Sequence, residues 1–382
     1  MKFAHRCPGM QCQGSISKRD IRQYMSSKDS QSKAVPGIDL ESIEATLASR
    51  YTDRITTIDS HTQGEPTRLL VSGVGVLPGK TIRDKRNHFE AHFDQVRKLL
   101  TSEPRGHRGV IAAVLTEPVS PKGHFGLFYM DARRYLHLCG HATIGAVASL
   151  VASGVIPAAK DEDTVITVDT PSGPMEVHTR IRGGSVESVA MDMVPSFVFA
   201  TDRTLAVEGF GRISADLVCV GGFFAMVNAE SVGIDLVPQN SHRLINLGMA
   251  IIKAANQTLS VHHPGRPEVN TVDVTEFHDY DPLTKSGRSV VIYGEAHMDR
   301  SPCGTGTTAK MTLLHHQGKL APGQVYKNSG PLGTVFEGRI VKTVPIGNFK
   351  GIVGRIRGNA QITGFHQFTL DGSDPFPQGF ML

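Results

Sequence analysis

Two eight-residue stretches of this 382-residue chain align without a gap: Cys139-Gly140-His141-Ala142-Thr143-Ile144-Gly145-Ala146 and Cys303-Gly304-Thr305-Gly306-Thr307-Thr308-Ala309-Lys310. Each opens on Cys-Gly, carries a Thr four residues after the Cys, and follows a β-rich run, residues 124–130 before the first and 289–293 before the second. The pattern predicts a strand followed by a helix that starts at a cysteine, built twice. A chain so constrained reads as two similar α/β halves facing one another across a cleft.

The chemistry follows from that placement. The first N–H groups of a helix lack partners and its dipole favours negative charge, so a cysteine there is expected to have a stabilised thiolate and a lowered pKa. The glycine after each cysteine admits close approach of a ligand to the backbone, and the free N–H groups suit a carboxylate. Two such helices aimed at one cleft would place a sulfur on each face of the carbon beside that carboxylate. One thiolate could then remove a proton while the opposite thiol donates one. Such chemistry requires no metal and no cofactor, and the sequence suggests none. A single buried cysteine is usually a small hydrophobe, and Cys219 in Val218-Cys219-Val220 is read that way.

The remainder of the chain bounds the options. Hydrophobic residues make up 40% and charged residues 20%, a soluble globular composition, and the net charge of +4 is spread without a basic stripe, so nucleic-acid binding has no support. No apolar run is long enough to span a bilayer. The five cysteines, at 7, 12, 139, 219 and 303, have no regular spacing, so a reducing compartment, the cytoplasm, is expected in place of a disulfide framework. Residues 1 to about 38 are polar and Ser-, Lys- and Arg-rich, as in a disordered tail. Leu40, Ile43, Leu47 and Tyr51 then recur at helical spacing.

Strands are expected at 55–58 and 68–71, flanking a polar loop Asp59-Ser60-His61-Thr62-Gln63-Gly64-Glu65-Pro66. A helix is expected over 84–100, a strand over 110–115 and an apolar helix over 144–151. A strand at 165–168 and the pair 175–181 and 189–193, turned at Gly183-Gly184, follow. Then come a helix over 242–255, strands at 269–277 and 289–293, and a helix from Cys303 to Leu314. Short strands at 334–337, 339–341 and 352–356 close the pattern. His61 and His107 read either as loop-holding residues or as substrate contacts, and His262-His263 and His315-His316 as surface residues without metal spacing. Gly221-Gly222-Phe223-Phe224 reads equally as a lining of the cleft or as a Gly-Gly bend between strands.

At Asp59–Arg68, Glu103-Pro104-Arg105-Gly106-His107, Cys139–Gly145 and Asp299-Arg300-Ser301-Pro302-Cys303-Gly304-Thr305-Gly306-Thr307 the chain resembles the proline racemase family, from about residue 54 to the C-terminus. The resemblance implies a fold like diaminopimelate epimerase, two pseudo-symmetric α/β domains, each a curled sheet around a central helix. The domains would be 51–185, joined by the C-terminal strands at about 357–382, and 186–356, after a leading segment 1–50. It also implies cofactor-independent inversion at Cα of proline or hydroxyproline, with Cys139 and Cys303 as the paired acid and base. His141 and Asp299 would meet the ring-nitrogen region, and the amides of Gly140, Gly304 and Thr305 would hold the carboxylate. The partner is a small amino acid; a homodimer is the assembly left open.

Members that resemble trans-3-hydroxyproline dehydratases replace one cysteine by Thr or Ser; this chain keeps both, which favours racemase or epimerase. Proline-specific members resemble one another in placing Phe where this chain has Ile111 and Tyr293, so the expectation leans to 4-hydroxyproline, whose hydroxyl Tyr293 could meet. Two other classes stand beside this one. A non-catalytic carboxylate-binding protein would need only the amides, and a thiol–disulfide oxidoreductase would ordinarily carry Cys-x-x-Cys, which is absent.

Overall fold

The structure, a computed structural model, describes residues 39–157 and 163–381. The expected tail at 1–38, with Cys7 and Cys12, lies outside the described residues. Residues 1–52 and 53–382 form separate units. In the first, the expected amphipathic segment is helix α1 (Leu40–Arg50), begun by Asp39, whose side chain accepts the N–H of Glu41.

The second unit opens with a hairpin longer than the sequence predicts. Strand β1 (Arg54–Thr62) and strand β2 (Glu65–Ser72) run through most of the supposed polar loop and turn only at Gln63 and Gly64. Both turn residues have positive φ, 52° and 102°, as a tight two-residue hairpin requires. Here polarity is not a sign of solvent. Asp59 accepts the Arg68 guanidinium at 2.9 Å, and Thr62 donates to the carbonyl of His141 at 2.7 Å.

Helix α2 (Ile82–Thr101) starts at a reciprocal Thr81–Asp84 capping box and buries Phe89, Val96, Leu99 and Leu100 against β3 (Ile111–Thr116) and β4 (Phe125–Met130). Phe93 interrupts the helix with φ −131°. After β5 (Tyr135–Leu136) comes α3 (Gly140–Ala152), in which every residue from His141 to Val151 is buried. Gly145 lets this helix lie on the first hairpin: a Cβ there would stand 2.7 Å from Ser60 Oγ and 3.2 Å from Thr67 Cβ.

The meander β6 (Asp163–Thr170), β7 (Gly173–Arg182) and β8 (Ser185–Asp192) has the predicted Gly183-Gly184 turn, both glycines at positive φ. Strands β9 (Ser196–Val207) and β10 (Gly211–Val220) were not expected; β11 (Gly222–Asn228) follows the Gly221-Gly222 bend. Cys219 in β10 is fully buried, and burial pushes its thiol up to about 12. Beyond the short α4 (Ala229–Val232) come α5 (Ser241–Thr258), β12 (Val272–His278), β13 (Ser286–Tyr293), β14 (His297–Met298) and α6 (Gly304–His316).

The chain closes with β15 (Val325–Ser329), β16 (Val335–Ile346), β17 (Phe349–Gly358) and β18 (Ala360–Thr369). The two short strands expected at 334–341 are one. Gly338 does not turn the chain; it makes room for α6, since a Cβ there would lie 2.6 Å from Met311 Sδ.

Among the described residues, all eighteen strands belong to one sheet. Pairing runs β18–β1–β2–β3–β4–β6–β7–β8 past α3. It also runs β9–β10–β11–β12–β13–β15–β16–β17 and back to β9, closing round α6. Strand β17 joins the two series by pairing with β8. The result is a mixed α/β, strand-rich, barrel-like fold with a buried helix in each curl. No described helix is long and apolar enough to cross a membrane.

Candidate active site

Both cysteines cap helices, in different conformations. Cys139 precedes α3 in an extended conformation, and its carbonyl accepts both the N–H and the hydroxyl of Thr143, the latter at 2.8 Å. Cys303 precedes α6 with φ +58°, a strained value for a non-glycine residue, and its sulfur accepts the N–H of Gly306 at 3.4 Å. A short chain of bonds holds it there. Cys303 N–H donates to Ser301 Oγ at 3.0 Å, and Ser301 donates through both its N–H and its hydroxyl to Asp299 Oδ1 at 2.8 Å. The recurring Thr is structural: Thr307 donates to the carbonyl of Pro302 and accepts from Asn328.

The two helix starts come together at Met193. A Cβ on Gly140 would lie 4.0 Å from Met193 Cε, and one on Gly304 would lie 3.7 Å from the same atom. One methyl group therefore separates the glycines that follow the two cysteines. Both cysteine residues are half-buried.

Charge is distributed unequally between them. Cys139 Sγ lies 3.4 Å from His141 Nδ1. Burial pushes the His141 pKa down, but the neighbouring Cys139 sulfur, Glu65 and Asp299 outweigh it and raise the pKa to about 9, so the ring is cationic at neutral pH. At Cys303, burial and the neighbouring Asp299 carboxylate push the thiol well up, against donation from Thr305 and Gly306. The expected thiolate-stabilising effect of the helix start therefore loses at Cys303 to desolvation and like charge. Asp299 is itself raised, by burial and by Glu65.

Glu65, which sequence reasoning left without a role, organises the surroundings. It is fully buried at the head of β2, where Oε1 meets His297 Nε2 at 2.9 Å and Oε2 accepts Arg300 N–H at 2.8 Å. Burial pushes its carboxyl up, but the His297 hydrogen bond and the charges of His297, His141 and Arg300 hold it below its ordinary value. An acidic residue between Gly64 and Pro66 was the available signal; treating the segment as a solvated loop hid it.

Ile111 and Tyr293 line one cavity of about 190 Å³ together with Gly109 and His297, with Arg108, Arg133 and Glu295 among the charged residues around it. Neither cysteine lines it. Tyr293 stacks edge-on against His297, and its hydroxyl has no hydrogen-bond partner among the described residues. Burial, then Glu65, Asp299 and both cysteines, push its pKa well above 10, so it remains a phenol. Thr305 places its hydroxyl 3.3 Å from Cys303 Sγ.

Thus Cys139, Gly140, His141, Asp299, Cys303, Gly304 and Thr305 gather around the two helix starts, with Tyr293 and Ile111 in the neighbouring cavity. His61 and His107 each accept a nearby backbone N–H, from Gly64 and Gly109 respectively, as loop-holding residues do. Among the described residues no group of three or more His, Cys, Asp or Glu is arranged to hold a metal.

A family profile described as "Proline racemase" matches residues 57–381. The chain is 35% identical to a proline racemase of Clostridioides difficile, over 87% of this chain and 99% of that protein. It is 37% identical to a 4-hydroxyproline 2-epimerase of Streptosporangium roseum, over 85% and 97%. It is also 32% identical to a trans-L-3-hydroxyproline dehydratase of Xenopus tropicalis, over 86% and 95%. A crystal structure of a hydroxyproline epimerase from Agrobacterium vitis with bound trans-4-hydroxy-L-proline superposes with a TM-score of 0.77 at 29% identity, covering 86% of this chain and 96% of that one.

Proposed function

Because the chain belongs to the proline racemase family, we propose that it is a racemase or 2-epimerase that inverts Cα of 4-hydroxyproline, or alternatively proline, without a cofactor. The proton exchange would run between Cys139 and Cys303. The observation that carries this reading is the meeting of two cysteine-capped helix starts at the methyl group of Met193.

The substrate carboxylate accepts the free N–H groups of Gly140, Gly304 and Thr305, while His141 and Asp299 face the ring-nitrogen region. In one direction of the reaction Cys139, beside the cationic His141, serves as the thiolate base and Cys303, whose thiol burial and Asp299 hold protonated, serves as the acid. The Cys139 sulfur takes the Cα proton: the Cα–H bond breaks, an S–H bond forms, and the electron pair spreads into the carboxylate. The Cys303 S–H bond then breaks as its proton joins Cα from the opposite face. The protein is left with Cys139 as thiol and Cys303 as thiolate, which is the starting state for the reverse reaction.

Tyr293 supports the hydroxyproline choice, since its unpartnered phenol and Ile111 line the same cavity. The ligand bound to the Agrobacterium vitis epimerase supports it too. The same reading takes residues 51–185 with 357–382, and 186–356, as the two pseudo-symmetric halves of a diaminopimelate epimerase-like fold. The β18–β1 pairing and the strand ring round α6 support that division. The dehydratase relative makes loss of water from trans-3-hydroxy-L-proline the second reading, and two cysteine caps weigh against it.

The test is incubation in D₂O with trans-4-hydroxy-L-proline, L-proline and trans-3-hydroxy-L-proline, followed by NMR and polarimetry. Deuterium at Cα with inversion of the first is expected. Dehydration of the third without inversion of the others would replace this reading with the dehydratase, and no reaction with any would remove the substrate class.

A further inference from the structure

A second cavity, of about 450 Å³, lies beside the C-terminal half of α6, and Lys310, His278, Asp202 and Asp216 are among the residues that line it. None of these four belongs to the site described above. Lys310 is only 2% exposed, yet its ammonium meets a neutral partner: Nζ lies 2.5 Å from His278 Nδ1, and no carboxylate of the described residues lies within 4.0 Å. With Nδ1 accepting from Lys310, the proton of the neutral imidazole sits on Nε2, and that buried N–H has no partner. On strand β10, Asp216 accepts the backbone N–H of Asp202 at 2.9 Å and pairs with no cation. The cavity therefore borders a buried cation on one element and a carboxylate on another, which feel each other's charge, as Lys310 also feels Glu276 and Asp279, without any of them closing to an ion pair within 4.0 Å. A buried charge without its counter-charge is destabilising, and a ligand carrying the missing charge removes that penalty.

We propose that this cavity is a second binding site, for a small zwitterion of the amino-acid class. Its carboxylate accepts from Lys310 Nζ, and its ammonium donates to Asp216, with Asp202 beside it. A simple anion would satisfy Lys310 but face both aspartates, and a simple cation would meet the reverse difficulty. Lys310 stands about two turns along α6 from Cys303. An occupant would thus rest on the same helix that presents the thiol, away from the cleft.

Isothermal titration calorimetry of the full chain tests this, with glycine, β-alanine and 4-aminobutyrate as zwitterions of increasing charge separation, and acetate and methylammonium as single-charge probes. At least one zwitterion is expected to bind tenfold or more tightly than either single-charge probe. Lys310→Met and Asp216→Asn should each weaken it at least tenfold. Equal binding of acetate, no binding of any zwitterion, or unchanged affinity in the variants overturns the proposal, the last by assigning the heat to another site. Asp216→Asn, on a half-buried strand position, carries the test alone if Lys310→Met does not fold.

Discussion

Glu65 and His297, 232 positions apart in sequence, meet at 2.9 Å in the protein interior. Their bond ties the first hairpin to the segment that leads into Cys303, and Arg300 adds a backbone N–H and a guanidinium contact on the other carboxylate oxygen.

Glu65→Ala is expected to lower the unfolding free energy by about 3–5 kcal/mol, because it leaves His297 and the Arg300 amide facing an unfilled buried site. Glu65→Gln retains the shape and should lose about 2 kcal/mol. Since the folded-state pKa of Glu65 lies below its ordinary value, the ionised carboxylate's contribution is present above the unfolded pKa and is lost as pH falls through the folded one. The gap between wild type and Glu65→Gln in urea unfolding should therefore narrow on acidification below pH 4.5. A loss under about 1 kcal/mol for the alanine variant would show that the contact is not holding the hairpin.

His141 has the opposite sign. Its folded pKa, about 9, exceeds the ordinary 6.5, so its contribution is complete below 6.5 and disappears as pH rises through 9. That shift corresponds to roughly 3 kcal/mol. The stability difference between wild type and His141→Gln is expected to be largest near pH 6 and to shrink steadily by pH 10. Inversion activity should fall along the same alkaline limb, as the imidazolium beside Cys139 is lost. A pH-independent difference would sink the assignment of a cationic ring.

Tyr293→Phe removes one hydroxyl and leaves the aromatic wall. If that hydroxyl meets the 4-hydroxyl of the substrate, kcat/KM for trans-4-hydroxy-L-proline should fall about tenfold relative to L-proline, the worth of roughly one neutral hydrogen bond. Steady-state kinetics on both substrates measures the ratio. An unchanged ratio means the residue does not read the ring substituent.

Gly145→Ala inserts a methyl group where Ser60 Oγ and Thr67 already touch the backbone of α3. A loss of about 1–3 kcal/mol is expected from overpacking. Ser60→Ala in the same chain should restore part of it, giving a coupling of at least about 0.5 kcal/mol in a double-mutant cycle. Strict additivity of the two changes would show that the helix settles elsewhere.

These predictions divide according to where their premises became visible. The two cysteine caps, their glycines and the apolar α3 were readable from residue order, because a helix start and a buried helical face are set by neighbours within a few positions. The polar stretch Asp59–Pro66 misled, since alternation of hydrophobic and polar residues registers solvent exposure and not polar groups bonded in the interior. Gly338 misled for a related reason: a glycine that turns the chain and one that admits a helix have the same letter.

Local sequence was thus sufficient for the cysteine-capped helices and for the family. Their meeting at Met193, the central place of Glu65 and the different charged surroundings of the two cysteines came only from the tertiary structure. A group's proton affinity answers to burial and to nearby charges, and here Glu65 and Asp299 act on His141, and Asp299 and Glu276 on Cys303, through the tertiary fold.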